Sequence, residues 1–183
     1  MNALNVYPVP DGDTGTNMLH TVRSALKYAR AAESTLAAVS AAAAHGALMG
    51  ARGNSGVILS QIIRGLKEAL ASAETLGAAE VHRALALART YAHEAVTVPA
   101  PGTILTVTAA AADEEHSAGA SGVRDVLAGV VRAADRAVAR TKDENPTNKA
   151  AGVVDAGAKG LFYLLDGALA AVEGRRVAAT TVA

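Results

Sequence analysis

Apolar residues recur at intervals of three and four positions along almost the whole chain after Thr14, the spacing that places them on one face of an α-helix. No long stretch alternates apolar and polar residues, as a half-buried strand would. The pattern therefore predicts an all-α domain. Its apolar stripes mark seven helices: Met18–Ala29, Leu36–Leu48, Ser55–Leu70, Val81–Val96, one beginning near Thr103, Ser121–Thr141 and Leu161–Val172.

The connections between these helices are short, and short connections favour antiparallel neighbours. We therefore expect an antiparallel up-and-down bundle or helical barrel. In such a fold the loops before the first, third, fifth and seventh helices lie at one end. These are the chemically unusual loops of the chain: Asn5–Asn17, Gly50–Gly56, Val98–Thr103 and Asn145–Gly157. Their expected convergence predicts one composite site.

Composition narrows the class of protein. A length of 183 residues fits one domain, which we assign to residues 1–176, followed by a weakly patterned tail at 177–183. The 17 basic residues balance the 17 acidic ones and aromatic residues are scarce, so we expect no nucleic-acid partner. Cysteine is absent and no apolar run approaches the length of a membrane span. We therefore expect a soluble, cytoplasmic protein.

Two carboxylates flank Gly12 in the loop before the first helix. Asp11 and Asp13 can turn toward one point, where their charges repel unless a cation lies between them. Magnesium suits such hard oxygen ligands and completes its shell with water and substrate phosphate. Further oxygens are available from Asn5, Asn17, Thr14 and Thr16. The alternative is an Asx turn with Thr14 or Thr16 as helix cap, which explains one aspartate but not two.

The other unusual loops offer polar groups at helix starts. Gly53-Asn54-Ser55-Gly56 opens the third helix, where exposed N–H groups suit a phosphate, although a capped, glycine-rich helix break explains the same residues. Thr103 and Ile104 begin the fifth helix and suit an adenine or ribose edge, or form an ordinary helix start after Pro101. Asp155 is either the cap of the last helix or an acceptor for a ribose hydroxyl or a water.

Together, four segments resemble the N-terminal kinase domain of bacterial fatty acid kinase (FakA-type), which is similar to the ATP-binding DhaL subunit of dihydroxyacetone kinase. The segments are Asn5–Met18, Gly53–Gly56, Gly102–Thr106 and Gly152–Gly157. The resemblance implies an eight-helix antiparallel barrel that binds ATP or ADP with Mg2+ at one end. In the family a helix precedes the aspartate loop, whereas here only Met1–Leu4 do, so we expect seven helices.

The resemblance also assigns roles to residues. Asp11 and Asp13 are the expected magnesium ligands and catalytic residues, and Asn5 stands where dihydroxyacetone kinases have a further aspartate, as a third ligand. The Gly-Asn-Ser-Gly turn would hold phosphates, Thr103 and Ile104 would border the nucleoside, and Asp155 would close the site. The expected nucleotide-binding set is Thr14, Gly15, Thr16, Asn17, Gly53, Asn54, Ser55, Gly56, Thr103, Ile104 and Asp155.

The implied reaction is phosphoryl transfer from ATP to a fatty acid carboxylate held by a separate DegV-like binding protein, giving an acyl phosphate. Two alternatives stay open: a dihydroxyacetone-type (glycerone) kinase subunit, and a nucleotide-binding module without turnover of its own. Fatty acid kinases continue into further domains that this sequence does not contain. The sequence also leaves open whether a partner chain supplies a first helix or an exposed seam promotes homodimerisation.

Overall fold

A computed structural model describes residues 1–114 and 122–176, and all regular structure within them is helical. A short 3-10 turn, Asn2–Leu4, precedes eight α-helices: α1 Thr14–Arg30, α2 Leu36–Gly50, α3 Gly53–Leu70, α4 Ala78–Glu94, α5 Ile104–Ala112, α6 Val123–Glu144, α7 Pro146–Ala151 and α8 Ala156–Val172. The all-α prediction is confirmed. The predicted tail at 177–183, and Ser121 as start of the sixth helix, lie outside the described residues.

The predicted count of seven helices is short by one, because the connection between the last two long helices contains α7. This helix has six residues, too few to show an apolar stripe. Its start was nevertheless encoded: Asn145 Oδ1 accepts hydrogen bonds from the N–H groups of Thr147 and Asn148, and Pro146 occupies the first position. Gly152, with φ of 68°, ends it.

The long helices form a closed ring around an aliphatic core. Each packs against the next along the chain, and α8 packs against α6, α5 and α1. Small residues allow close approach: a Cβ on Gly65 of α3 would lie 2.4 Å from the backbone nitrogen of Ala88 in α4. The core residues Met18, Leu59 and Val107 are at most 4% exposed.

Helices α1, α3, α5 and α8 begin at the same end of the ring, which we call the site end. The other end, where α2, α4 and α6 begin, is the far end. The four unusual loops therefore converge as their alternation along the chain predicted. Within residues 1–114 and 122–176, none of the helices combines the length and apolar character needed to cross a membrane.

Candidate functional site

A cavity of about 490 Å³ opens at the site end, within the range typical of small-molecule sites. All four unusual loops contribute to its wall, and the end of α4 adds a fifth segment. Of the predicted site residues, nine line this cavity: Asn5, Asp11, Asp13, Thr14, Asn54, Ser55, Thr103, Ile104 and Asp155. Segments far apart in the chain thus form one site.

The aspartate loop is held closed by Asn5. The buried Asn5 Oδ1 accepts hydrogen bonds from Asp13 N at 3.2 Å, Thr14 N at 2.9 Å and Thr14 Oγ1 at 2.6 Å. Asn5 Nδ2 donates to Val9 O at 2.8 Å. Asn5 thereby satisfies N–H groups at the start of α1 that a local cap would otherwise serve.

This arrangement leaves both aspartates of the loop available. Asp13 occupies the cap position of α1 but makes no capping hydrogen bond with its side chain. Asp11 and Asp13 are exposed and line the cavity. Thr14 and Thr16 lie inside α1, so neither is the helix cap of the alternative interpretation. The three donors on Asn5 Oδ1 occupy its lone pairs, so in this arrangement it has none left for a cation.

Five predicted nucleotide-binding residues do not line the cavity. A Cβ on Gly53, whose φ is 56°, would lie 2.5 Å from Asn17 Nδ2, and a Cβ on Gly56 would lie 2.7 Å from Thr21 Oγ1. These glycines let the start of α3 approach α1. Thr16 exchanges hydrogen bonds with Asn2, and Gly15 lies against the same residue. The residues therefore support the walls, while Asn54 and Ser55 face the cavity.

The opposite wall is apolar. It combines Ile104 and Leu105, both buried at the start of α5, with Val96 and Val98 after α4. Thr103 Oγ1 is committed to the backbone, donating to Ala100 O at 2.9 Å and accepting from Leu105 N at 3.3 Å. Sequence reasoning missed the valines, and also Tyr7, Val9, Val57 and Ile58. Isolated apolar residues do not indicate a binding site in a sequence. The one available signal was the apolar segment Val96-Thr97-Val98 directly before Pro99.

Asp155 is the cap of the last helix, one of the two roles that the sequence left open, and its place at the cavity keeps the other as a prediction. Its Oδ2 caps α8 by accepting from Ala158 N at 2.7 Å, and the residue also lines the cavity. Burial raises the pKa of Asp155 to about 6, although hydrogen bonds from the backbone of Ala158, Ile104 and Gly157 and from the Asn148 side chain act in the opposite direction. At neutral pH the group is mostly ionised.

The charges at the cavity all have one sign. Among the described lining residues the charged side chains are Asp11, Asp13 and Asp155, with no lysine, arginine or histidine. Positive potential comes instead from the starts of α1, α3, α5 and α8, whose N–H groups lie at this end. The carboxylates disfavour a free anion at this cavity, whereas the helix starts favour one.

The donor set fits magnesium carried by a phosphate ligand. Magnesium is commonly bound through one or two carboxylates together with substrate phosphates and water. Within the described part of the chain, no three His, Asp or Glu side chains come together as a metal site. Asp11 and Asp13 alone would therefore form an incomplete shell, which phosphate oxygens and water would complete.

Comparison with known proteins identifies relatives across almost the whole chain. Residues 8–170 match the DAK2 domain. The chain is 39% identical over 180 residues to protein YloV of Bacillus subtilis (strain 168), covering 97% of the chain and 32% of YloV. It is 38% identical over 185 residues to an uncharacterized protein of Staphylococcus saprophyticus, covering 98% of the chain and 33% of that protein. The chain thus spans about one third of the length of these relatives.

Proposed function

Because the chain belongs to the DAK2 domain family, whose DhaL-like members are nucleotide-binding kinase subunits, we propose that its cavity binds Mg-ATP and transfers the γ-phosphoryl group. The acceptor is the carboxylate of a fatty acid held by a separate DegV-like binding protein, and the product is an acyl phosphate. The protein acts in the cytoplasm.

One observation carries this proposal: the described lining residues include three carboxylates and no cationic side chain, and the positive ends of four helices lie at the same cavity. A free triphosphate would be repelled by the carboxylates, and a free cation would find few ligands. A magnesium–phosphate complex satisfies both requirements, because the metal binds carboxylates while the phosphate oxygens accept from helix N–H groups.

Each wall then has a separate task. Asp11 and Asp13 hold the metal, which when bound supplies positive charge across the phosphate oxygens. The backbone at Asn54 and Ser55 binds phosphate at the start of α3. The apolar wall of Val96 and Ile104 receives the nucleoside and excludes water from it. Asn5 keeps the aspartate loop in shape rather than binding the metal.

The transfer step needs no general base. An oxygen of the acceptor carboxylate forms the new bond to the γ-phosphorus, the bond from that phosphorus to the β–γ bridging oxygen breaks, and its electron pair leaves with ADP. The carboxylate is already ionised at neutral pH, so no proton must be removed. The protein contributes position and electrostatic stabilisation, as is usual for phosphoryl transfer.

The mouth of the cavity supports an acceptor delivered by another protein. Three residues that line the cavity are exposed valines: Val98 is 78% exposed, Val9 56% and Val57 44%. Exposed apolar groups around a polar site suit a surface that another protein covers.

A dihydroxyacetone-type kinase is the second candidate. Its acceptor is a hydroxyl, which needs a base, and the raised pKa of Asp155 is the observation in its favour. Asp155 Oδ2, however, already caps α8. A third candidate is a nucleotide-binding module without turnover of its own.

Calorimetry with Mg-ATP tests the shared premise. We expect Asp11→Asn and Asp13→Asn each to weaken binding about 100-fold, about 2.7 kcal/mol, because each removes a charge from the metal. The matched control is Asp135→Asn, an exposed carboxylate on α6 away from the cavity, which should bind as the unmodified chain does. Unchanged affinity in both loop variants would contradict the metal assignment.

ADP formation separates the candidate functions. The unmodified chain is mixed with Mg-ATP and a fatty acid on its binding protein, and in parallel with dihydroxyacetone and a sugar-binding kinase subunit. Turnover only in the first mixture supports the fatty acid kinase, and turnover only in the second supports the dihydroxyacetone-type kinase. Nucleotide binding without turnover in either mixture supports the module.

A further inference from the structure

A buried polar corner lies behind the cavity, where α6 passes into α7. We call Thr141, Asn145 and Asn148 the α6–α7 corner. Their exposed fractions are 0%, 2% and 0%, and none of them lines the cavity. Burying three polar side chains together costs free energy unless their hydrogen bonds are used. The use of those bonds shows what the corner holds.

Two of its amides hold the loop between α4 and α5. Asn148 Nδ2 donates to Gly102 O at 3.0 Å, and Asn145 Nδ2 donates to Pro101 O at 3.3 Å. The contact is tight, since a Cβ on Gly102 would lie 2.6 Å from Asn145 N. The next residues along the chain are Thr103 and Ile104 of the cavity wall. The corner therefore determines where that wall begins.

The same corner also holds Asp155. Thr141 Oγ1 accepts from Asp155 N at 3.0 Å, and the Asn148 side chain lies near enough to the Asp155 carboxylate to oppose the rise in its pKa. Two walls of the cavity, from separate parts of the chain, are thus fixed to one another through these side chains.

The orientation of Asn148 is set by these tasks. Its Nδ2 faces two carbonyl oxygens, of Gly102 and, at 3.4 Å, of Thr141, so exchanging the amide oxygen and nitrogen would place oxygen against oxygen. Its own Oδ1 is buried without a hydrogen-bond partner among the described residues. Asn148 thus leaves one acceptor unsatisfied while its Nδ2 holds the loop at Gly102 and the end of α6 at Thr141.

We propose that Asn148 and Asn145 are positioning residues of the nucleotide site, which hold the nucleoside side of the cavity without contacting the ligand. The inference rests on the proposed function, since it assumes that the wall at Thr103 and Ile104 receives the nucleoside. It implies that the corner contributes to binding of the nucleoside but not of the metal at Asp11 and Asp13 or the phosphates at the start of α3.

Asn145→Asp is the variant that isolates this role. The aspartate keeps an Oδ1 that can cap α7 at Thr147 and Asn148, but it has no N–H group for Pro101 O. Asn148→Ala removes the second bond and serves as the stronger variant where it folds. Thr35→Ala, which removes the cap of α2 at the far end, is the control for a purely structural loss.

Affinity is measured by calorimetry with two probes, Mg-ATP and Mg-tripolyphosphate, and the melting temperature is recorded for every variant. We expect Asn145→Asp to weaken Mg-ATP binding about tenfold and tripolyphosphate binding less than about twofold, whereas Thr35→Ala changes neither. Equal losses for both probes, or no loss for Mg-ATP, would overturn the positioning role.

The same measurements distinguish this inference from the proposed function. If the unmodified chain binds Mg-ATP and the Asp11→Asn variant binds it weakly, the proposed site stands. The Asn145→Asp result then decides the positioning role alone. If the unmodified chain binds neither probe, the proposed function fails and the positioning role falls with it.

Discussion

The two ends of the ring are built from the same aliphatic helices but differ in what they bury. At the site end the buried polar side chains are Asn5, Thr14, Asn17, Thr103, Thr141, Asn145, Asn148 and Asp155. At the far end the loops at residues 31–35 and 71–77 contain only exposed or partly exposed residues, and the buried Ser40 near the start of α2 donates within its own helix, to Ala37 O. Water can satisfy the far-end loops, whereas the site-end loops depend on each other.

The difference indicates that the site end is built to hold its loops in fixed positions rather than to maximise stability. The backbone polar groups of a helix end can be satisfied by water in an exposed turn, as they are at the far end. The site end instead uses buried side-chain hydrogen bonds between segments, such as Asn5 to Thr14 and Asn148 to Gly102. Such bonds contribute little net stability, but they specify positions well. The comparison predicts that matched changes at the two ends have unequal effects.

The largest difference in destabilisation is expected between alanine substitutions at two glycines with the same φ angle. Gly102 at the site end and Gly174 at the far end both have φ of 66°, but a Cβ on Gly102 meets the backbone of α6 and its C-cap, whereas one on Gly174 meets nothing within 4 Å. Gly102→Ala should lower the free energy of unfolding by about 4 kcal/mol, and Gly174→Ala by about 1 kcal/mol. Urea unfolding measures both, and similar losses would contradict the comparison.

A smaller effect, with a pH dependence, is expected from Asp155→Asn. Because the folded pKa of about 6 lies above the ordinary value of 3.8, the fold favours the protonated acid, and its stability falls as pH rises between these values. Asparagine can still cap α8 and does not ionise. The variant should therefore be more stable than the unmodified chain above pH 6, by up to about 3 kcal/mol.

Unfolding curves from pH 4 to pH 7 check this prediction. The gap between Asp155→Asn and the unmodified chain should close toward pH 4. The control is Asp135→Asn, an exposed carboxylate on α6. A gap that stays constant with pH would show that ionisation of Asp155 is not what burial disfavours.

The smallest difference in destabilisation is expected between alanine substitutions at two side chains that cap helices. Asn5 satisfies three donors at the start of α1 from a distance of eight or nine residues, whereas Thr35 caps α2 locally through Ala38 N. Asn5→Ala should cost about 2 kcal/mol and weaken Mg-ATP binding, because it also frees the aspartate loop. Thr35→Ala should cost about 1 kcal/mol without affecting binding. Equal effects on binding would refute the role of Asn5 in shaping the loop.

Much of the fold was predictable because helical periodicity is a local property. The stripe from Leu59 to Leu70 predicted α3. The alternation of helix directions predicted that the four loops lie at one end. The short α7 was missed, since six residues cannot show the period. The site was predictable as a set of loops for the same reason, but not residue by residue.

The sequence by itself determined the helices, the end at which the polar loops meet and the presence of paired carboxylates there, because these depend on spacing along the chain. Only the tertiary structure decided which residues face the cavity. Ser55 faces the cavity, while Gly53 and Gly56 pack against α1. The Oδ1 atom of Asn5 accepts hydrogen bonds from the start of α1. The raised pKa of Asp155 was likewise set by burial among α5, α7 and α8. Orientation and desolvation depend on neighbours distant in sequence, so no local pattern could encode them.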